Sequence, residues 1–215
     1  LLAASIRFDG GLVMQVQGDG PVALFVVECE SDDTYRATVK LRPGVHVPHD
    51  ASLSDMVNRH GRGRFAVTLV PDRPEGRTGR PPPKGAIMQA PYQGIVPFEG
   101  DTVAEVLERY MARSEQIPTR LWLAADDDVA CGLLLQRMPQ QGGKEGVADP
   151  DEDGWRRVTT LARTLTREEM LGLPVDEILQ RLFWECPMTL LDRRRPSFAC
   201  TCSREKVGAM LRMLG

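Results

Sequence analysis

The fold of this chain is decided near its start, where residues 12–27 read LVMQVQGDGPVALFVV. Large apolar residues occupy every second position of the first part: Leu12, Met14 and Val16. This period of two indicates a half-buried β-strand, and the nearly continuous apolar run at 22–27 indicates a second one. The turn GDGP at 18–21 is too short for the crossover that parallel strands need. Residues 12–27 therefore predict an antiparallel β-hairpin.

Similar short strands and turns extend outward from this hairpin. They cover residues 6–41 and recur at 64–70, 92–98, 120–125 and 130–137. Amphipathic helices are predicted at 52–59, 101–116, 155–184 and 203–214, with short extended pieces at 189–192 and 197–200. The proline-rich loop 71–85 and the acidic linker 139–154 show neither pattern. The predicted fold class is α+β, a strand-rich body with an antiparallel or mixed sheet and packed helices, followed by a helical segment.

Two of the predicted helices carry a well-defined apolar face. In the helix at 101–116 its members are Val103, Val106, Leu107, Tyr110 and Met111. In the last part of 155–184 they are Val175, Ile178, Leu179, Leu182 and Phe183. Because these residues recur at helical spacing, we expect both faces to be buried.

Composition and charge exclude several classes of function. The 215 residues include 27 basic and 30 acidic side chains, a net charge of −3, so no basic footprint indicates a nucleic-acid partner. No apolar run is long enough to cross a bilayer, and the start has neither the basic flank nor the cleavage site of a signal peptide. We therefore expect a cytoplasmic protein that binds neither nucleic acid nor membrane.

The five cysteines are an odd number, which argues against a framework of structural disulfides. Cys29 and Cys131 lie inside apolar strand patterns and are interpreted as small core residues. Cys200 and Cys202 differ, because they directly precede a predicted helix that Ser203 can cap. Backbone N–H groups and the positive end of a helix lower the pKa of nearby thiols. The spacing is compatible with metal binding and with redox use, and both interpretations stay open.

Other polar clusters have ordinary structural explanations. His46 and His49 flank Pro48, which breaks the helix that would align both rings on a metal. The acidic triplet at 126–128 is interpreted as a solvated hairpin turn, and PPPK at 81–84 as a solvated loop. No phosphate-binding loop, nucleophile elbow or zinc-protease motif occurs, so the sequence offers no catalytic constellation.

Several longer stretches resemble one known family. They include QVQGDGP at 15–21, YQGIV at 92–96, RSEQIPT at 113–119, LQRMP at 135–139 and FACTCSRE at 198–205. By these stretches the chain resembles the redox-regulated heat-shock holdases, the thirty-three-kilodalton chaperonins of bacteria. The resemblance extends over nearly the whole chain.

The resemblance implies an ATP-independent molecular chaperone rather than an enzyme. It implies that the protein holds unfolded or partly folded clients under oxidative stress and forms a homodimer. Cys200 and Cys202 match the first pair of the family's four zinc-binding thiolates. In that family, oxidation releases zinc, pairs the cysteines as disulfides, unfolds the zinc module and linker, and exposes apolar surface.

The same resemblance implies that this sequence is truncated at both ends. The second cysteine pair and the family's leading helices are not in the sequence. We therefore expect zinc in the full-length reduced protein and none, or only weakly bound zinc, in this chain. The resulting domain prediction is a strand-rich core at 1–139, a flexible joint and helical linker at 140–199, and the first half of a cysteine redox switch at 200–215.

One competing interpretation is a thiol–disulfide enzyme that uses Cys200 and Cys202 catalytically. Enzymes of that class usually carry Cys-x-x-Cys beside a βαβ unit, whereas this chain has Cys-x-Cys. Turnover of a dithiol substrate distinguishes the two.

Overall fold

The computed structural model describes residues 1–6, 8, 10–48, 51–71, 90–138 and 152–200, together with Gly208 and Arg212. In chain order the elements are α1 (Leu2–Ser5), β1 (Gly10–Gln17), β2 (Val22–Cys29), β3 (Thr34–Leu41), α2 (Leu53–Val57), β4 (Arg64–Pro71), β5 (Tyr92–Pro97), α3 (Val103–Tyr110), β6 (Thr119–Ala125), β7 (Ala130–Gln136), α4 (Glu152–Ala162), α5 (Arg167–Gly172), α6 (Val175–Phe183) and β8 (Ser197–Phe198). This order of strands and helices confirms the predicted α+β class.

β1 lies inside a six-stranded sheet with the strand order β5-β4-β1-β2-β3-β8. Neighbouring strands are antiparallel except β3 and β8, which run parallel. Met14 lies opposite Val27 of β2 and Val67 of β4, so the three side chains share one face of the sheet. The predicted hairpin and its alternation are confirmed.

The GDGP turn between β1 and β2 is held by Asp19. Its carboxylate accepts hydrogen bonds from the backbone N–H groups of His60, at 3.2 Å, and Arg62, at 2.8 Å. Burial acts to raise the pKa of Asp19, but these hydrogen bonds outweigh it and hold the pKa below its ordinary value. Gly20 packs against α2 so closely that an added Cβ would lie 2.5 Å from the Met56 carbonyl oxygen. The hydrogen bonds of Asp19 and the close packing at Gly20 therefore account for these two residues of the GDGP turn.

The main core lies between the sheet and the helices α1, α2 and α3. Tyr110 of α3 is 1% exposed and packs edge-on against Phe65 of β4, with ring centroids 5.6 Å apart. Its phenol donates a hydrogen bond to the Glu115 carboxylate at 3.1 Å, and burial together with Glu115 raises the pKa of Tyr110. Gly94 leaves room for this ring, because a Cβ there would lie 2.6 Å from the Tyr110 oxygen.

The predicted helix at 101–116 is α-helical only over α3 and continues as a π-helical turn over Met111–Glu115. The turn ends at Gln116, whose backbone is left-handed with φ of 55°. At the start, Thr102 accepts a hydrogen bond from the Glu105 N–H at 3.2 Å, as the capping-box spacing predicts. The Glu105 carboxylate, however, accepts from the N–H of Asp101 at 2.9 Å rather than from that of Thr102.

Two residues predicted on buried helix faces are exposed. Val103 is 45% exposed and Val175 is 62% exposed. Both are the first residue of their helix, so each lies before the turn at which the helix meets its packing partner. The other members of both predicted faces are buried or partly buried.

In the second half of the chain the main elements are helices, as predicted, but their first and last residues differ from the prediction. The predicted linker extended to residue 154, whereas α4 begins at Glu152. The apolar pattern did not single out α5, although Thr166 and Glu169 form a complete capping box at its start. Residues 189–192 form no strand, whereas β8 lies within the predicted extended piece 197–200.

Some predicted features fall outside the described residues. They are most of the loop 71–85, the joint 140–151, and the helix 203–214 except Gly208 and Arg212, which are helical. Within the described part of the chain, no helix has the length and apolar character needed to cross a bilayer.

Candidate functional site

The hairpin of β6 and β7 lies between two apolar clusters and contributes side chains to both. Leu121 and Leu134 lie opposite each other and pack into the main core. Trp122 and Leu133, the next pair in the register, pack into a second cluster with the helices α4 and α6. Because strand side chains alternate between faces, one hairpin contacts both clusters. The helical segment is thus covered on its apolar side by the strand-rich body.

Few side chains hold this second cluster. Its buried members are Ala162 of α4 and Ile178, Leu182 and Phe183 of α6, each less than a tenth exposed. Full burial of one large apolar side chain contributes roughly 1.5–3 kcal/mol, and the entropy of ordering the helix opposes it. The packing of α6 is therefore a small fraction of the whole core.

Polar contacts also tie the helices to the hairpin and to each other. The Arg167 guanidinium donates to the Ala125 carbonyl at 2.6 Å, and Arg181 of α6 pairs with Glu169 of α5 at 2.7 Å. These groups lie at the surface, where ion pairs contribute at most about 1 kcal/mol. They orient the helices more than they stabilise them.

A segment with several exposed apolar residues, 184–200, follows α6, and we call it the strap. Its exposed large side chains are Trp184 at 74%, Met188 at 53%, Leu190 at 71%, Leu191 at 91% and Phe198 at 68%. The sequence predicts an extended piece at 189–192, but these side chains were not singled out as exposed. Apolar residues occupy every second position from Trp184 through Cys186 and Met188 to Leu190, so the available signal was this short strand-like alternation.

Exposed ion pairs hold the strap to its surroundings. Arg193 pairs with Asp176 of α6 at 3.0 Å, and Arg194 pairs with Asp33 at 3.4 Å and Asp192 at 2.7 Å. Hydrogen bonds from Arg194 and from the Arg193 N–H lower the pKa of Asp192, so this carboxylate stays ionised below the usual range. The arginines thus connect α6, the strap and the turn before β3.

Cys200 lies at the end of this strap. The N–H groups of Ser197 and Ala199 donate to the carbonyls of Asp33, at 3.1 Å, and Tyr35, at 3.0 Å. Cys200 comes directly after the last of these hydrogen bonds, and its side chain is exposed. Cys202, the second predicted site residue, lies outside the described residues.

The remaining cysteines are less accessible. Cys29, Cys131 and Cys186 are each half-buried, so Cys29 and Cys131, which the sequence predicts as small core residues, are not fully buried. Burial, with the carboxylates nearby, raises the pKa of the Cys29 thiol. Cys29 therefore carries less thiolate at neutral pH than an ordinary cysteine.

Neither the acidic triplet at 126–128 nor His46 is arranged as part of a metal site. The Asp126 carboxylate accepts from the N–H groups of Asp128 and Val129, at 2.9 and 2.6 Å, so it forms the hairpin turn as expected. His46 is exposed, and His49 is outside the described residues. Over the described residues, no group of three or more His, Cys, Asp or Glu side chains could hold a metal ion.

Comparison with known proteins identifies the family. The family model described as Hsp33 protein matches residues 1–215. The chain belongs to the Hsp33 family. Similar Hsp33 relatives, each named 33 kDa chaperonin, come from Methylobacillus flagellatus (47% identical), Chromobacterium violaceum (42%) and Neisseria meningitidis (41%). All of this chain aligns with 65%, 65% and 63% of their lengths, respectively, so the chain spans somewhat less than two thirds of these relatives.

A solved Hsp33 structure supports the fold. The crystal structure of a 33 kDa chaperonin, heat shock protein 33 homolog, from Thermotoga maritima superposes with a TM-score of 0.70 at 21% identity. The match covers 100% of this chain and 68% of that one. The Hsp33 family contains chaperones rather than enzymes, which agrees with the expectation from the sequence.

Proposed function

We propose that this protein is a redox-regulated, ATP-independent chaperone that holds unfolding polypeptides and prevents their aggregation during oxidative stress. The family match and the names of the relatives support the chaperone class. The proposal adds the switch, in which oxidation of Cys200 and Cys202 raises the holding activity.

The observation that carries this proposal is the covered apolar face of α6. Ile178, Leu182 and Phe183 are buried against a hairpin that belongs to the strand-rich body. When α6 separates, these side chains and Trp122 of the hairpin become available to other apolar surfaces. A surface that is hidden in one state and exposed in another is what a switchable holdase requires.

The strap supplies the connection between the thiol and that surface. Cys200 directly follows the hydrogen bond from Ala199 to Tyr35, and Arg193 ties the strap to α6. Oxidation at Cys200 changes the charge and geometry beside the last hydrogen bond to β3. Because the ion pairs of the strap are exposed and weak, loss of that attachment leaves α6 held mainly by its own apolar packing.

Zinc belongs to the proposal for the full-length reduced protein. Structural zinc takes four ligands, and Cys200 is the one described member of the predicted pair. The described residues alone thus do not complete a zinc site. Bound zinc contributes folding free energy to a small module.

We further propose a cytoplasmic location, clients that are unfolded or partly folded, and a homodimer in the active state. These follow from the implied class of protein. The dimer is tested by the oligomeric state of the oxidised protein in sedimentation.

The test is the aggregation of a thermally unfolding reporter enzyme, followed by light scattering with reduced and peroxide-treated protein. We expect stronger suppression after oxidation than in the reduced state. Cys200→Ser should abolish the increase, whereas Cys131→Ser, a half-buried control in β7, should keep it. If neither state suppresses aggregation, the chaperone proposal is wrong. If both states of the wild type suppress equally, the switch is wrong.

The order of oxidation gives an independent readout of the switch. Mass mapping after brief peroxide treatment should find Cys200 and Cys202 modified before Cys29 and Cys131. The raised pKa of Cys29 and the exposed position of Cys200 are the physical reasons. Earlier modification of the strand cysteines contradicts the assignment of the switch.

A further inference from the structure

We propose that the outer edge of β3, along residues 37–41, binds an extended apolar segment of a client polypeptide, which adds to the six-stranded sheet as a further strand. The proposal rests on the proposed holding function and adds to it a second client surface, one that is open in the described structure. It is carried by three features of the described residues: the strand already seated on this edge, the backbone groups beyond it, and an apolar cavity that opens beside it.

The first feature is β8, which shows that the β3 edge accepts an added strand. Ser197 and Phe198 pair in parallel with Thr34 and Tyr35. The Ser197 and Ala199 N–H groups complete the ladder with carbonyls of β3 and its preceding turn. An extended segment distant in sequence therefore already uses main-chain hydrogen bonds on this edge.

The second feature is the length of edge that β8 leaves uncovered. β8 reaches only to Tyr35, and among the described residues no strand pairs with the outer side of 37–41. The Tyr35 carbonyl points to β8, so the period of two directs the backbone groups of Ala37 and Val39 to the same side. The inner side of β3 is occupied by β2, with Val39 opposite Phe25. An added strand thus continues the line of β8.

The third feature is an apolar cavity of about 290 Å³ between the sheet and the helices α2 and α3. Phe25, Met56 and Val106 are among its walls. Val39 and Val103 also line it and are 53% and 45% exposed, so the cavity opens to solvent beside β3. A dry apolar cavity of about 150 Å³ already holds a benzene-sized group. This one is large enough for an aromatic or aliphatic side chain.

The combination favours a peptide as the occupant. A lipid chain or small apolar molecule would use the cavity and leave the strand edge unused. An extended polypeptide uses both, because its backbone pairs with β3 while every second side chain points toward the cavity. This is the strand-addition mode of peptide recognition, in which main-chain hydrogen bonds give affinity and pockets select side chains. Unfolded clients supply such segments without sequence specificity.

The first test compares two variants on neighbouring positions of β3. Val39→Asp places a charge at the mouth of the cavity, whereas Thr38→Asp places the same charge on the opposite face of the same strand. The probe is a fluorescent nine-residue peptide that alternates Phe or Val with Thr. We expect Val39→Asp to raise the dissociation constant at least about tenfold, and Thr38→Asp to change it by less than about twofold. Equal effects of the two variants would overturn the proposal.

The second test leaves the protein unchanged, so it does not depend on the folding of a variant. A peptide with the same side chains but N-methylated at every residue cannot donate ladder hydrogen bonds from either of its edges. We expect it to bind at least about tenfold more weakly than the parent. If it binds as well as the parent, pairing with β3 is wrong.

Aggregation assays with the same variants separate this proposal from the proposed function. If the wild type and Val39→Asp suppress aggregation equally, the chaperone function stands and the β3 surface is wrong. If the wild type does not suppress aggregation, the chaperone function is wrong, whereas peptide binding that is sensitive to Val39→Asp would still establish the β3 surface. If Val39→Asp loses suppression while the wild type and Thr38→Asp keep it, the chaperone function and the β3 surface are both supported.

Discussion

Phe198 lies edge-on against Tyr35, with the ring centroids 6.3 Å apart and the ring planes at 79°. Tyr35 belongs to β3 and Phe198 to β8, so this contact joins the candidate switch to the main sheet. The ring contact and the hydrogen bond from the Ala199 N–H to the Tyr35 carbonyl hold β8 to β3 at the same place. Cys200 follows directly.

Phe198→Ala should loosen this attachment without unfolding the body. Phe198 is 68% exposed, so we expect a loss of about 0.5–1.5 kcal/mol, the range of an aromatic pair. Hydrogen exchange of the Ser197 and Ala199 amides should become several-fold faster, whereas amides of β1 should be unchanged. Phe198→Tyr keeps the ring and is the control. Unchanged exchange at both amides would show that the ring contact does not hold β8.

Replacing Ile178 and Leu182 with Ser should separate α6 from the hairpin. Both side chains are buried, and comparable core substitutions cost about 2–5 kcal/mol each. Val175→Ser on the same helix, where the side chain is 62% exposed, should change stability by less than about 0.5 kcal/mol. Hydrogen exchange of the α6 amides is the measurement.

The same pair of substitutions also locates the client surface in the reduced state. If α6 itself binds clients, suppression of aggregation should fall, because its apolar residues are removed. If α6 covers a client surface on the body, suppression should rise. A folded variant with unchanged suppression contradicts both outcomes.

Gly94→Ala should destabilise the main core. The added Cβ would meet the Tyr110 oxygen at 2.6 Å and a ring carbon at 3.0 Å. Tyr110 is 1% exposed and cannot move aside, so we expect a loss of roughly 1–3 kcal/mol in urea unfolding. Gly172→Ala is a matched control, since nothing lies within 4 Å of its Cβ position. That variant should be neutral or slightly stabilised, and an equal loss in both variants would refute the packing argument.

Asp19→Asn should make stability less dependent on acid pH. The pKa of Asp19 is lowered in the folded state, so its stabilising contribution is present above the unfolded-state pKa of about 3.9 and is lost as pH falls through the lower folded-state value. At pH 7 the variant should be about 1–2 kcal/mol less stable, because charged hydrogen bonds to two backbone N–H groups are weakened. The difference from the wild type should shrink toward zero in strong acid. A difference that is constant from pH 7 to pH 2 would contradict this role.

Local patterns were sufficient for most of the elements. The alternation at 12–17 and the short GDGP turn specify the β1–β2 hairpin, because a period of two and a tight turn leave one arrangement. The spacing of Thr102 and Glu105 indicated where α3 begins, since a side-chain cap depends only on adjacent residues. Local patterns failed where packing depends on distant residues, as for Val103 and Val175, whose exposure depends on where each helix meets the body.

The candidate site likewise combines features that local sequence predicts with features that depend on residues far apart in the chain. Cys200 is a prediction from sequence alone, because closely spaced thiols before a predicted helix are a local chemical signal. Only the tertiary structure decided that β8 pairs with β3, that one hairpin separates two apolar clusters, and that a cavity opens beside Val39. A strand pattern determines which residues share a face, but the partner of an edge is chosen by contacts between residues far apart in the chain, such as Arg194 with Asp33.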